Sequence, residues 1–434
     1  MTPSTYLIRS GRVIDPVNKF DGVADILISG GKIVKIGAGL GEKCDKVIDA
    51  KGKIVIPGLV DMHTHLREPG REDKETIASG TRAAVRGGYT TVACMPNTDP
   101  AIDSPKAVKL VEEIIKRDAL CGVAVVGAIT LSRAGKKLSD LAGMKRAGAA
   151  AVSDDGSPVE DKKLMLEALK CAGAAGLVVI DHCEDIGLSA SGVINKGYVS
   201  TKMGLKGIAR AAEYEIVGRD IGIAEKCGAR IHIAHVSCAE SVDIIRKAKK
   251  RGVKVTAETA PHYFTLTEEC CVTYDTNTKM NPPLRSKDDV EAVKKGLADG
   301  TIDAIATDHA PHTDAEKDVE FDFAPFGIIG LETALSLSVS ELVGPGLLSW
   351  NTLIEKMSLN PARILGLGAP GLKKGAPADI AIIDPAKEYT YTKESVESKS
   401  KNSPFIGWSL KGKVTELFVR GELVMEGESI RARR

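Results

Sequence analysis

Eight times between Gly58 and His309 the chain passes through a short apolar stretch, usually followed by an amphipathic one, and this recurrence leaves few folds open. The apolar stretches fall at 58–65, 88–95, 121–129, 148–155, 176–183, 229–236, 252–259 and 302–309. Helical periodicity marks 104–117, 136–147, 160–173, 209–227, 238–251 and 286–299. Strands alternating with helices build a parallel sheet with covered faces, and eight such units predict a closed (β/α)8 barrel, a TIM barrel, rather than an open sheet.

The ends of the chain differ. Tyr6-Leu7-Ile8, Arg12-Val13-Ile14, residues 24–28, 32–36 and 47–49 read as short strands with Gly or Asp breaks, and the texture returns at 378–383, 414–419 and 423–425. Both termini are expected to pair into one small β-sandwich domain, giving boundaries of 1–57, 58–365 and 366–434.

A barrel keeps its chemistry at the C-terminal ends of its strands. Those ends carry His63 and His65, then Asp154-Asp155, His182, His235, and Asp308 with His309. Of eight histidines, His63, His65, His182 and His235 occupy strand ends, while His262, His309 and His312 lie in the loops just beyond strands 7 and 8. His232 lies mid-strand, out of phase with His235, and is expected to point away from the barrel axis. Asp61, His63 and His65 alternate along the first strand, share a face and read as ligands. Nitrogen and oxygen donors converging there suit zinc. Four histidines and two carboxylates exceed one tetrahedral ion, so a two-metal centre with a bridging carboxylate and hydroxide is the economical reading. Asp154 and Asp155 face opposite sides of a strand, and periodicity does not choose between them. Asp308 suits a general base that later protonates a leaving nitrogen.

A net charge of +1 supplies no basic field for nucleic acid or an anionic membrane. Nine cysteines without a Cys-x-x-Cys pair, and no long apolar span, lead to the expectation of a reducing cytoplasm. Cys183 and Cys238, close in sequence to histidines, are read as bystanders.

The chain carries, in order, Pro57-Gly58-Leu59-Val60-Asp61-Met62-His63, His65-Leu66-Arg67-Glu68-Pro69-Gly70, Met95-Pro96-Asn97-Thr98, Asp154-Asp155-Gly156, Lys279-Met280-Asn281-Pro282-Pro283-Leu284-Arg285, Ala306-Thr307-Asp308-His309-Ala310-Pro311-His312 and the tail 399–405. Together these motifs resemble the type I dihydroorotases of bacteria and archaea, in the amidohydrolase superfamily. The resemblance implies a zinc ion on His63, His65 and Asp308, a second on His182 and His235, and Asp155 with a hydroxide bridging them. Many relatives bridge with a carboxylated lysine, which Asp-Asp-Gly replaces here.

It further implies reversible cyclic-amide hydrolysis between L-dihydroorotate and N-carbamoyl-L-aspartate in pyrimidine (UMP) synthesis, with Asp308 catalytic. Arg67, Asn97 and His312 would hold the substrate carboxylate, Asn281 and the Phe326-Gly327 backbone the ring amides, with His65 and Leu66 adjoining. A forked cation such as Arg67 matches a carboxylate. The partner expected is a small-molecule substrate. The resemblance also implies a homo-oligomer and, as in some relatives, association with an aspartate transcarbamoylase. The rivals are a dihydropyrimidinase or allantoinase, against which Arg67 and Asp155 argue, and a non-catalytic scaffold, which would lose metal ligands. Segment 310–327 reads either as a loop over the site or as a solvated acidic face.

Overall fold

The computed structural model describes residues 4–431. All eight apolar stretches contribute to one parallel sheet in sequential order: β1 (Leu59–Thr64), β2 (Tyr89–Cys94), β3 (Gly122–Gly127), β4 (Ala151–Val152), β5 (Val179–Asp181), β6 (Ile231–Ile233), β7 (Val255–Thr259) and β8 (Ala304–Ile305). The ring closes where Thr64 bridges His309 in parallel and the His65 N–H donates to the His309 carbonyl at 2.8 Å. Asp61 completes this seam. Its carboxylate accepts the Thr307 N–H at 3.2 Å and the His63 N–H at 3.0 Å, so it is a tie between first and last strands rather than the ligand its spacing suggested. Burial pushes it up to about 7.

Helices α1 (Ile77–Gly87), α2 (Pro105–Asp118), α3 (Leu141–Ala147), α4 (Lys162–Ala175), α5 (Ala211–Cys227), α6 (Ala239–Lys250) and α7 (Lys287–Ala298) connect the strands. Their starts are legible: Thr76 and Ser79 form a capping box on α1, and Ser104 caps α2 with Pro105 in its first turn. Helix α3 begins later than the pattern over 136–147, because the Asp140 side chain accepts from the Gly143 N–H and sets the start there.

Alternate strand residues enter two apolar clusters. Val92, Val125, Val179, Ile231, Ile233 and Ile305 pack with helix residues such as Val108, Leu169, Ile221 and Ile245. Ala93, Ala124, Val126, Ile180, Ala234 and Ala304 pack together with Ile364 and Leu365, and these fill the barrel interior.

Both termini meet in one nine-stranded sheet. Ile54–Pro57 pairs in parallel with Thr5–Asp15 and antiparallel with Ile380–Thr390, and runs almost directly into β1. The sheet buries Ile8, Ile26, Ile28, Val55, Ile380, Ile382 and Phe418. Among the described residues no helix is long and apolar enough to cross a membrane.

Candidate metal centre

Asp155 leaves the end of β4 and presents its carboxylate to four imidazoles. Its Oδ1 lies 3.3 Å from His63 Nε2, 3.5 Å from His182 Nδ1 and 3.6 Å from His235 Nε2, and its Oδ2 lies 3.6 Å from His65 Nε2. Asp308 Oδ1 is 3.0 Å from His65 Nε2 and 3.6 Å from His63 Nε2. Two sets of donors within metal-binding reach share this one carboxylate: His63, His65 and Asp155, and Asp155, His182 and His235. Asp154 turns the other way, accepting from the Thr130 N–H at 3.1 Å and from its hydroxyl.

For three of the four rings an outer partner decides which nitrogen faces inward. His63 Nδ1 is 2.6 Å from Glu258 Oε1, His65 Nδ1 is 2.8 Å from Asn97 Oδ1, and His182 Nε2 is 3.0 Å from Glu184 Oε2. A ring N–H given to such an oxygen leaves the opposite nitrogen as a lone-pair donor. His63 Nε2 is fully buried and has no hydrogen-bond partner, although it faces two carboxylates. An orphaned imidazole nitrogen among nitrogen and oxygen donors fits a bound metal ion.

The electrostatics agree. Burial disfavours charge on Asp155 and Asp308, yet the adjoining imidazoles, His63 foremost, hold both well below the usual carboxylate range. The same carboxylates draw His63 well above its ordinary value in spite of burial. These opposed shifts come from carboxylates and imidazoles facing one another in a buried pocket, where each stabilises the charged form of the other.

Backbone geometry aims two of these groups. His235 and Asp308 have φ of 35° and 49°, a region that non-glycine residues enter at a cost and that clusters at functional sites. The turn at His235 also corrects the expectation for His232. Strand β6 ends at Ile233, so the alternation does not extend to His235, and His232 shares the inward phase of Ala234. Its Nε2 lies 3.3 Å from Glu258 Oε2 and its Nδ1 2.8 Å from Thr256 Oγ1, beneath the metal ligands rather than outside the barrel.

The remaining expected residues surround this centre. Arg67, in a left-handed turn of φ 61°, donates from Nε to the Pro311 carbonyl at 3.2 Å and has no carboxylate partner among the described residues. Glu68 and Glu72 instead accept the Ile77 and Gly70 N–H groups. The turn packs closely on the Asn97 segment, since a Cβ at Gly70 would meet the Asp99 carbonyl oxygen at 1.9 Å. His312 Nε2 lies 2.8 Å from the Phe326 carbonyl, and the Gly327 N–H donates to the Lys279 carbonyl. Asn281 Nδ2 donates to Glu184 at 2.9 Å. The Leu66 side chain is in the core.

Segment 310–327 is heavily tied. Asn402 accepts from the His312 N–H and donates to the Ala310 and Gly327 carbonyls, while Lys279 and Lys317 bind carbonyls across it. Within its acidic run, Asp314 and Glu316 form ion pairs. Cys183 and Cys238 bond Asp181 and Glu213, away from the centre.

Sequence reasoning passed over Glu258, Glu184 and Lys74, and marked Asn402 only as part of the tail motif 399–405, without its contacts to segment 310–327. Glu258 was the most accessible of these, as an acid in the inward phase of the largely buried strand Val255-Thr256-Ala257-Glu258-Thr259.

A family model described as "Dihydro-orotase-like" matches residues 52–241. The dihydroorotase of Elusimicrobium minutum (strain Pei191) is 55% identical over 428 residues, 99% of each chain. That of Pelotomaculum thermopropionicum is 54% identical over 425 residues, 98% of this chain and 99% of the other. Among solved structures, L-hydantoinase (dihydropyrimidinase) from Arthrobacter aurescens superposes with a TM-score of 0.89 at 25% identity, covering 98% of this chain and 97% of that one. Dihydropyrimidinase from Brevibacillus agri NCHU1002, at 24% identity and a TM-score of 0.87 over 99% of this chain and 96% of that one, shares the fold. Identity above one half over nearly the whole length outweighs the more distant hydantoinase likeness, and the chain belongs to the dihydroorotases, hydrolases of cyclic amide C–N bonds.

Proposed function

We propose that the centre holds two zinc ions, one on His63, His65 and Asp308 and one on His182 and His235, with Asp155 common to both. The observation that carries this reading is the single Asp155 carboxylate within 3.6 Å of four imidazole nitrogens. Bound cations of this kind acidify water and polarise a carbonyl oxygen.

The chain's own residues supply the rest. Asp308, kept ionised, takes a proton from the attacking water and returns it to the ring nitrogen as the C–N bond breaks. Arg67, with its charge uncommitted, receives the carboxylate that distinguishes dihydroorotate from dihydrouracil, and Asn97 and His312 flank it. Asn281 and the Phe326-Gly327 backbone border the ring, beside His65 and Leu66. In the biosynthetic direction N-carbamoyl-L-aspartate closes to L-dihydroorotate; closure consumes a proton, so mild acid favours it.

Elemental analysis of the purified protein tests the metal assignment. Two zinc ions per chain, falling in Asp155→Asn, are expected; an unchanged metal content in that variant contradicts a bridging Asp155.

A further inference from the structure

Glu184 Oε2 faces two groups that serve different parts of the site. His182 Nε2, on a ring just past the end of β5, lies 3.0 Å from it, and Asn281 Nδ2 lies 2.9 Å from it. A side-chain amide has one end that only donates and one that only accepts, and half a turn exchanges them at almost no steric cost. A carboxylate oxygen carries no hydrogen, so the end beside Glu184 is the NH2. The opposite end, Oδ1, is left for the substrate ring. Among the described residues the Asn281 side chain makes no other hydrogen bond, so nothing else chooses the end it presents. The loop itself is held by other groups: the Tyr263 hydroxyl donates to the Pro282 carbonyl at 2.7 Å, and the Lys279 carbonyl accepts the Gly327 N–H at 2.9 Å. Glu184 is anchored on its own side, where the Asp185 N–H donates to the Ala212 carbonyl at 2.7 Å.

We propose that Glu184 is a positioning residue for substrate specificity: by taking the Asn281 NH2 it turns Oδ1 toward the substrate, so that Asn281 accepts from a substrate N–H. Dihydroorotate and N-carbamoyl-L-aspartate both carry ureide N–H groups that suit such an acceptor. A substrate with oxygen in place of that N–H would set two acceptors against each other and be rejected. Without Glu184 the amide is free to present either end, and the selection weakens.

This inference rests on the reading of Asn281 as a ring contact. The test is a double-mutant cycle on zinc-loaded wild type, Glu184→Leu, Asn281→Ala and the double variant, with KM for L-dihydroorotate as the readout. Each single change is expected to raise KM about tenfold, and the double variant to raise it no further than Asn281→Ala alone. Effects on KM that multiply in the double variant overturn the proposal, because Glu184 would then act through His182 and not through Asn281. If Asn281→Ala raises KM and Glu184→Leu does not, the proposal fails while the reading of Asn281 stands. An unchanged KM in Asn281→Ala removes that reading and the proposal with it. Should Glu184→Leu not fold, a crystal structure of the wild type holding N-carbamoyl-L-aspartate decides. The Asn281 amide end away from Glu184 is expected within hydrogen-bond distance of a substrate nitrogen, and a substrate oxygen there overturns the proposal.

Discussion

His63 gives one ring nitrogen to Glu258 at 2.6 Å and is left with the other buried, unpartnered and facing Asp155. A carboxylate behind a ligand histidine fixes its tautomer and raises its basicity. Glu258→Gln is therefore expected to weaken metal binding by about 10–100-fold, measured by chelator competition, without loss of the fold. Unchanged affinity would show that Glu258 serves only to fill the barrel.

The two adjacent aspartates give an internal control. Asp155 faces four imidazoles, whereas Asp154 bonds Thr130 and is pushed up to about 6 by burial. Asp155→Asn is expected to lose metal and most activity. Asp154→Asn is expected to keep its metal and lose on the order of 1–2 kcal/mol of stability from the altered Thr130 contacts, seen in denaturant titration.

How much of this was legible beforehand follows from the strand geometry. The ligands declared themselves because a barrel gathers the ends of its strands, and few residue types bind metal. Asp155 over Asp154 came only with the family likeness, since both abut a two-residue strand whose period was too short to read. His232 was misjudged because a left-handed turn at His235 breaks the alternation, and no single sequence announces such a turn. Lys74, and the role of Asn402 within the family-like tail, were invisible for another reason. The two residues reach His312 from 238 and 90 residues away in sequence, through loops with no periodicity of their own.

Glu332, between the barrel and the terminal sheet, accepts the Glu397 and Ser398 N–H groups, and burial pushes it up to about 7. A carboxyl raised above its unfolded value binds its proton more tightly when folded. Its contribution is thus complete below about pH 4.5 and is lost as pH rises through about 7. Stability should decline across that window by an amount on the order of 3 kcal/mol from this group, and Glu332→Gln should flatten that decline in thermal or denaturant unfolding. A wild-type curve unaffected by the substitution would place the titration elsewhere.

Arg67→Met removes the uncommitted guanidinium while leaving the metal ligands in place. Loss of a buried charge-assisted contact costs about 2–5 kcal/mol, so kcat/KM for dihydroorotate should drop by roughly 30-fold or more. Metal content should stay at the wild-type value.

The most direct measurement is turnover of L-dihydroorotate, N-carbamoyl-L-aspartate, dihydrouracil and allantoin by the zinc-loaded protein, beside Arg67→Met. Selective conversion of the first two, lost in the variant, is the expected result. Preference for dihydrouracil or allantoin, or equal activity in Arg67→Met, would contradict the assignment of Arg67 and of the substrate it holds.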